Sequence, residues 1–161
     1  KLCGKFRPNH FKGVIDVVNR FLEIIRPKFM YLGMKDYQQI TLIKSHIKKN
    51  NINTKIKICS TIREKNGVAL SSRNIKLNGN QMKIAAKICK YLKINKKKIL
   101  LKILNQKKKE ILSAIKKFGI KKIDYLECLN LKTLKTPKNI NTKFNLFIAY
   151  YIGKIRLIDN L

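Results

Sequence analysis

The sequence predicts an α/β protein: half of a parallel α/β domain over residues 1–62, then a small α+β domain with an antiparallel sheet over residues 63–161. Three observations carry this. A strand, a helix and a second strand fit within about thirty residues, the signature of a parallel crossover unit. Composition turns polar and turn-rich after Thr61. The closing third of the chain holds strand-like runs joined by short turns, which argues for antiparallel pairing.

Between His10 and Ile25, Val14, Val17, Val18, Phe21, Leu22 and Ile25 recur at helical spacing and mark one apolar face. Pro27 closes that helix, because a proline disfavours helical geometry in the residue before it. Phe29 to Leu32 is continuously apolar up to Gly33 and predicts a buried parallel strand. A helix over 36–49 follows, with Tyr37, Ile40, Ile43 and Ile47 inward and Asp36 as its N-cap. Lys55–Cys59 is the next strand. The polar stretch 63–74, with Gly67, predicts a linker or functional loop. Helices are expected over 81–92 and 97–118, the second ended by Gly119. Strands are expected at Lys122–Leu129, 144–152 and 154–158, the last two joined at Gly153.

The net charge of +30 invites a nucleic-acid reading. Of the 38 basic residues, however, 32 are Lys and 6 are Arg, and the lysines are dispersed. A phosphate-groove reader would concentrate Arg, whose planar fork suits bidentate recognition. Together with abundant Asn and Ile, the pattern reads as compositional drift of an AT-rich coding sequence, and no nucleic-acid partner is expected. The longest apolar runs are strand-length, short of the roughly 18 residues a membrane helix needs, so no membrane partner is expected either. Cys3, Cys59, Cys89 and Cys128 form no Cys-x-x-Cys pair, and neither histidine stands at ligand spacing to them. They read as ordinary thiols of a reducing cytoplasm. No secretory signal opens the chain, and since its first residue is not Met, the natural start is expected upstream.

Three constellations could carry chemistry. Gly33-Met34-Lys35-Asp36-Tyr37-Gln38-Gln39 lies where strand meets helix. There the free N–H groups and positive dipole end of a helix favour an anion. Lys35 adds a point charge; Asp36 would cap the helix or orient a metal-bound water; the Gln39 amide can donate to and accept from a hydroxy acid. Leu70-Ser71-Ser72-Arg73-Asn74 sets two hydroxyls beside a guanidinium, the groups of a phosphate clamp. Alone, that tripeptide is more often plain surface. Arg7-Pro8-Asn9-His10-Phe11-Lys12-Gly13-Val14 leads into the first helix; His10 is a structural histidine or, less simply, a general acid or base.

These motifs, with Arg63, Gly67-Val68-Ala69 and the closing Ile152-Gly153-x-x-Arg156-Leu157-Ile158-Asp159-Asn160, resemble the pantothenate synthetases (pantoate–β-alanine ligases) in order and spacing. The resemblance covers the whole chain and is strongest before Leu77. It implies a Rossmann-like nucleotide-binding domain with a small C-terminal lid. It implies a cytoplasmic, homodimeric, adenylate-forming ligase of coenzyme A biosynthesis. Mg-ATP would activate the pantoate carboxylate, and the β-alanine amine would then displace AMP. By position, Gly33, Met34, Lys35, Asp36, Ile62, Leu70, Ser71, Ser72 and Arg73 match its ATP-binding residues and Gln39 a pantoate contact. Lys35 and Arg73 are the implied catalytic cations, gripping one polyphosphate, with closure of the loop assembling the clamp when ATP is present.

Two departures stand out. Met34 replaces a usual Glu, which is tolerable where the nucleotide is met by backbone groups and harmful where the carboxylate matters. The family's His-x-x-His signature, its catalytic histidine and its first pantoate-binding Gln have no counterpart; neither His10 nor His46 matches. A chain lacking the first half of that domain is expected to make no pantothenate alone, and measurable synthesis by residues 1–161 would overturn this. The rivals are another nucleotidyl-transferring enzyme of the same scaffold, which would ignore pantoate, and a basic RNA-binding module, whose binding would fall steeply with salt.

Overall fold

A computed structural model describes residues 2–161. The chain divides into two compact units, Lys1–Thr61 and Ile62–Leu161.

In the first unit, α1 (Cys3–Phe6) precedes α2 (His10–Ile25), β1 (Phe29–Gly33), a 3-10 turn (Met34–Asp36), α3 (Tyr37–Lys49) and β2 (Lys55–Cys59). β1 and β2 pair in parallel, Phe29 with Lys55 through Gly33 with Cys59, so the crossover unit forms as expected. Ile40 and Ile43 of α3 and Leu22 of α2 are buried. His46 and Asn19 tie the two helices at 2.7 Å.

Two expectations are corrected here. β1 is not buried: Phe29 is 37% and Tyr31 69% exposed, and alternate positions of the strand face solvent. An apolar run reports suitability for burial, whereas burial needs a covering layer, and the described residues of the first unit supply none over that face. The same holds for Val17, Phe21 and Ile24 of α2. Asp36 occupies the position before α3 but makes no side-chain capping bond. The helix is entered instead through the 3-10 turn, whose i+3 pattern tightens the first residues.

The second unit is built on a three-stranded antiparallel sheet, β3 (Lys122–Leu129), β4 (Asn145–Ile152) and β5 (Ile155–Asn160), with β4 central. β4 and β5 are joined by Gly153-Lys154, with Ile152 paired to Ile155. Gly153 has φ 56, the positive value a two-residue II′ turn requires at its first position. α4 (Gly79–Ile94), α5 (Lys96–Leu104) and α6 (Lys108–Lys116) complete the unit. Their residues Ala85, Ile88, Leu92, Ile99, Leu100, Ile111 and Ile115 join Leu126, Leu146 and Ile148 of the sheet in one core.

The single helix expected over 97–118 is two. Gln106 takes φ 60, which a continuous right-handed helix forbids, yet the apolar spacing continues across the break and hides it. The N-terminus of α4 is a full capping box: the Asn78 side chain accepts from the Gln81 N–H at 2.9 Å, and the Gln81 side chain accepts from the Asn78 N–H at 3.0 Å. Asn78→Ala is expected to cost about 1 kcal/mol, read as a lower thermal midpoint of this unit. An unchanged midpoint would mean that the box contributes nothing in solution.

Candidate nucleotide site

The first candidate stretch runs from the end of β1 into α3. Gly33 is extended (φ −74) and a Cβ there would meet open space, so neither backbone strain nor a crowding neighbour requires glycine at this position. Lys35 is half-buried in the 3-10 turn and Asp36 is exposed. Met34 and Gln39 are half-buried. Neither the 3-10 turn nor α3 has a side-chain capping bond at its N-terminus, whereas the Asn50 amide donates to His46 O at the C-terminus of α3. Burial pushes the Tyr37 phenol up, keeping it a protonated donor.

His10 opens α2 with its Nε2 against Arg7 Nη1 at 2.9 Å and its ring against Phe11. That is the structural role weighed above, since an Nε2 accepting from a guanidinium is occupied.

The second candidate stretch opens the second unit and is more ordered than a linker. Leu70 N–H donates to Ile62 O, Arg63 and Ala69 form an antiparallel bridge, and Glu64 N–H donates to Val68 O. The turn closes with Gly67 N–H on Glu64 O, and Gly67 has φ 89, a value few side-chain-bearing residues adopt. Ser71 then caps a second 3-10 turn (Ser72–Lys76), its Oγ accepting from the Arg73 N–H at 3.3 Å. With that lone pair occupied, the Ser71 O–H is left to donate. Buried Asn74 props the stretch from beneath by donating to Ala69 O at 3.1 Å. Arg73 Nη1 donates to Arg156 O at 3.0 Å. Leu70, Ser71, Ser72, Asn74, Glu64, Ile75 and Met82 line an open concavity of about 650 Å³. Ile62 and Leu70, 70% and 47% exposed, leave apolar surface uncovered nearby.

The residues that hold this stretch were not assigned a role by sequence. Arg63 forms a bidentate pair with Asp159, at 2.8 and 2.9 Å. The hydrogen bond to Asp159 raises the Arg63 pKa further, so the guanidinium stays charged. Burial pushes the Cys89 thiol up, so it remains a donor, and it donates to Gly67 O at 3.1 Å. Burial likewise pushes Cys128 up to about 12. No group of three metal-ligating side chains occurs among the described residues.

The sequence profile of the Pantoate-beta-alanine ligase family matches residues 1–161. The chain belongs to this family. The pantothenate synthetases of Endomicrobium trichonymphae and Clostridioides difficile are 44% and 43% identical to it, each over 99% of this chain. The chain spans 56% and 57% of their lengths. Among solved pantoate–β-alanine ligases, that of Francisella tularensis, complexed with beta-gamma ATP and β-alanine, is 40% identical with a TM-score of 0.77. The alignment covers 100% of this chain and 53% of that one. The Thermus thermophilus enzyme is 27% identical with a TM-score of 0.85, over 99% of this chain and 58% of its own. The α/β architecture with separate parallel and antiparallel sheets is thus that of the pantoate–β-alanine ligases, and the ordered loop at 62–74 lies within the matched region.

Proposed function

We propose that this chain supplies ATP-handling and pantoate-handling parts of a pantoate–β-alanine ligase. The observation that carries the reading is the 62–74 stretch. It is an ordered loop in which Ser71 and Ser72 line an open concavity and Arg73 follows them in sequence, in a chain matched over its whole length by the family.

In the first step a pantoate carboxylate oxygen attacks the α-phosphorus of ATP and pyrophosphate leaves. In the second the β-alanine amine attacks the acyl carbon and AMP leaves. Charge grows on the α-phosphoryl oxygens and on the leaving pyrophosphate, so fixed cations lower the barrier. Lys35 supplies a point charge, and Arg73 a fork whose remaining N–H groups can meet two phosphate oxygens. Ser71 and Ser72 donate hydroxyl hydrogens. Gly33 and Met34 offer backbone groups, which fits a position where Met replaces Glu. Ile62 and Leu70 offer apolar surface to adenine, and Gln39 pairs with pantoate through its amide.

Mg2+ fits this donor set through its carboxylates. It keeps several waters and binds phosphates with one or two carboxylates, and Asp36 is the exposed carboxylate on the ATP stretch. The cation would neutralise phosphate charge.

No helix is long and apolar enough to cross a membrane among the described residues. A cytoplasmic homodimer completes the reading, in which neither nucleic acid nor a membrane takes part.

The test is pantoate-dependent exchange of pyrophosphate into ATP by the protein as expressed from its natural reading frame. Exchange that requires pantoate supports the reading. Exchange indifferent to pantoate would point to another nucleotidyl-transferring enzyme.

A further inference from the structure

We propose that Arg63 and Asp159 are positioning residues for the Leu70-Ser71-Ser72-Arg73 stretch, an inference that rests on the ATP reading of that stretch. The Arg63 fork joins two elements far apart in sequence. Toward the loop, Nη1 donates to Gly67 O at 3.0 Å, at the turn. Toward the C-terminus, Nη1 and Nη2 meet the Asp159 carboxylate, and Nη2 also donates to Asn160 O at 3.0 Å. Cys89 of α4 holds the same Gly67 carbonyl from another side. The far end of the stretch is tied to the same strand, β5, by Arg73 on Arg156 O. Arg156 is itself fixed by its Nε on Asp124 at 2.7 Å, with the Asp124 side chain only 2% exposed. The stretch that carries the two serines is therefore suspended between two anchors on one strand.

What the Arg63–Asp159 pair contributes is direction more than stability. Its side chains are 25% and 11% exposed, so desolvation offsets much of the Coulomb attraction, whereas a bidentate fork fixes angle as well as distance. Phosphate-binding hydroxyls need that, because an ångström of misplacement can cost about a hundredfold in rate.

The experiment uses the 161-residue chain with Asp159→Asn, Arg63→Lys, and the exchanged pair Arg63→Asp with Asp159→Arg. ATP affinity is measured by calorimetry, and amide hydrogen exchange is followed without ATP at residues 64–74 and, as a report on global opening, at the centre of β4. Each single variant is expected to speed exchange across 67–74 and to weaken ATP binding about tenfold. Exchange in β4 should stay near wild type, and the exchanged pair should recover part of both losses. Unchanged exchange across 67–74, or an increase only in step with β4, would overturn the proposal and leave the pair a merely structural one. If the single variants loosen the loop selectively while ATP binds them as tightly as the wild type, the loop-holding role stands and the ATP reading of the stretch fails.

Discussion

Arg73→Ala is expected to weaken ATP binding by the chain about 10- to 100-fold, since a charge-assisted hydrogen bond is worth roughly 1.5–3 kcal/mol and each 1.4 kcal/mol is tenfold. Arg73 spends one N–H on Arg156 O; a guanidinium has five, so the rest of the fork is available to phosphate. Arg73→Lys should recover only part of the affinity, because an ammonium keeps the charge and loses the fork. Ser72→Ala, which removes a neutral donor from an exposed position, should cost less than either. Calorimetric titration with ATP, with and without Mg2+, checks the series. An alanine variant that binds as well as the wild type would remove Arg73 from the site.

Ile148→Ala is expected to destabilise the second unit by about 2–5 kcal/mol, from lost transfer free energy and the cavity left behind. Ile148 is fully buried in β4, opposite Leu126 on β3 and Asp159 on β5. β4 is buried on both faces over Leu146 to Tyr150, so the surroundings have little room to collapse into the void. Against a typical total of about 5–15 kcal/mol, that loss would leave the unit marginal. Urea unfolding should show a lower midpoint with an unchanged slope. Ile75→Ala, at a residue 88% exposed, should stay within about 0.5 kcal/mol. A loss under about 1 kcal/mol at Ile148 would mean that the core is looser than its burial indicates.

Sequence discloses such features to different depths. α2, β1 and β2 were legible because spacing and breaker residues are local: Pro27 ends one element and Gly33 another. The hairpin at Gly153 was legible for the same reason. The break between α5 and α6 was not, because Ile103, Leu104, Ile111 and Ile115 keep a helical rhythm while only the backbone at Gln106 departs from it. The exposure of Tyr31 escaped because an apolar run is silent about what covers it. At the site, Ser71, Ser72 and Arg73 stood out by residue type. Arg63 and Asp159 stood out only as positions of the family resemblance, and their pairing was not legible because it spans 96 positions and no period connects them. Asn74 and Cys89 likewise act through carbonyls of the loop, a role that composition cannot reveal.

If the Gly33–Gln39 and Leu70–Arg73 stretches serve one and the same nucleotide, they must respond to it together. Titrating the isotopically labelled 161-residue chain with ATP, while following the backbone amides of both stretches by NMR, decides this. The Lys35 and Ser72 amides should shift along a single binding curve, and Lys35→Ala and Arg73→Ala should each weaken the response at both. Separate curves, or a response at one stretch that ignores substitution at the other, would show that no shared nucleotide joins them.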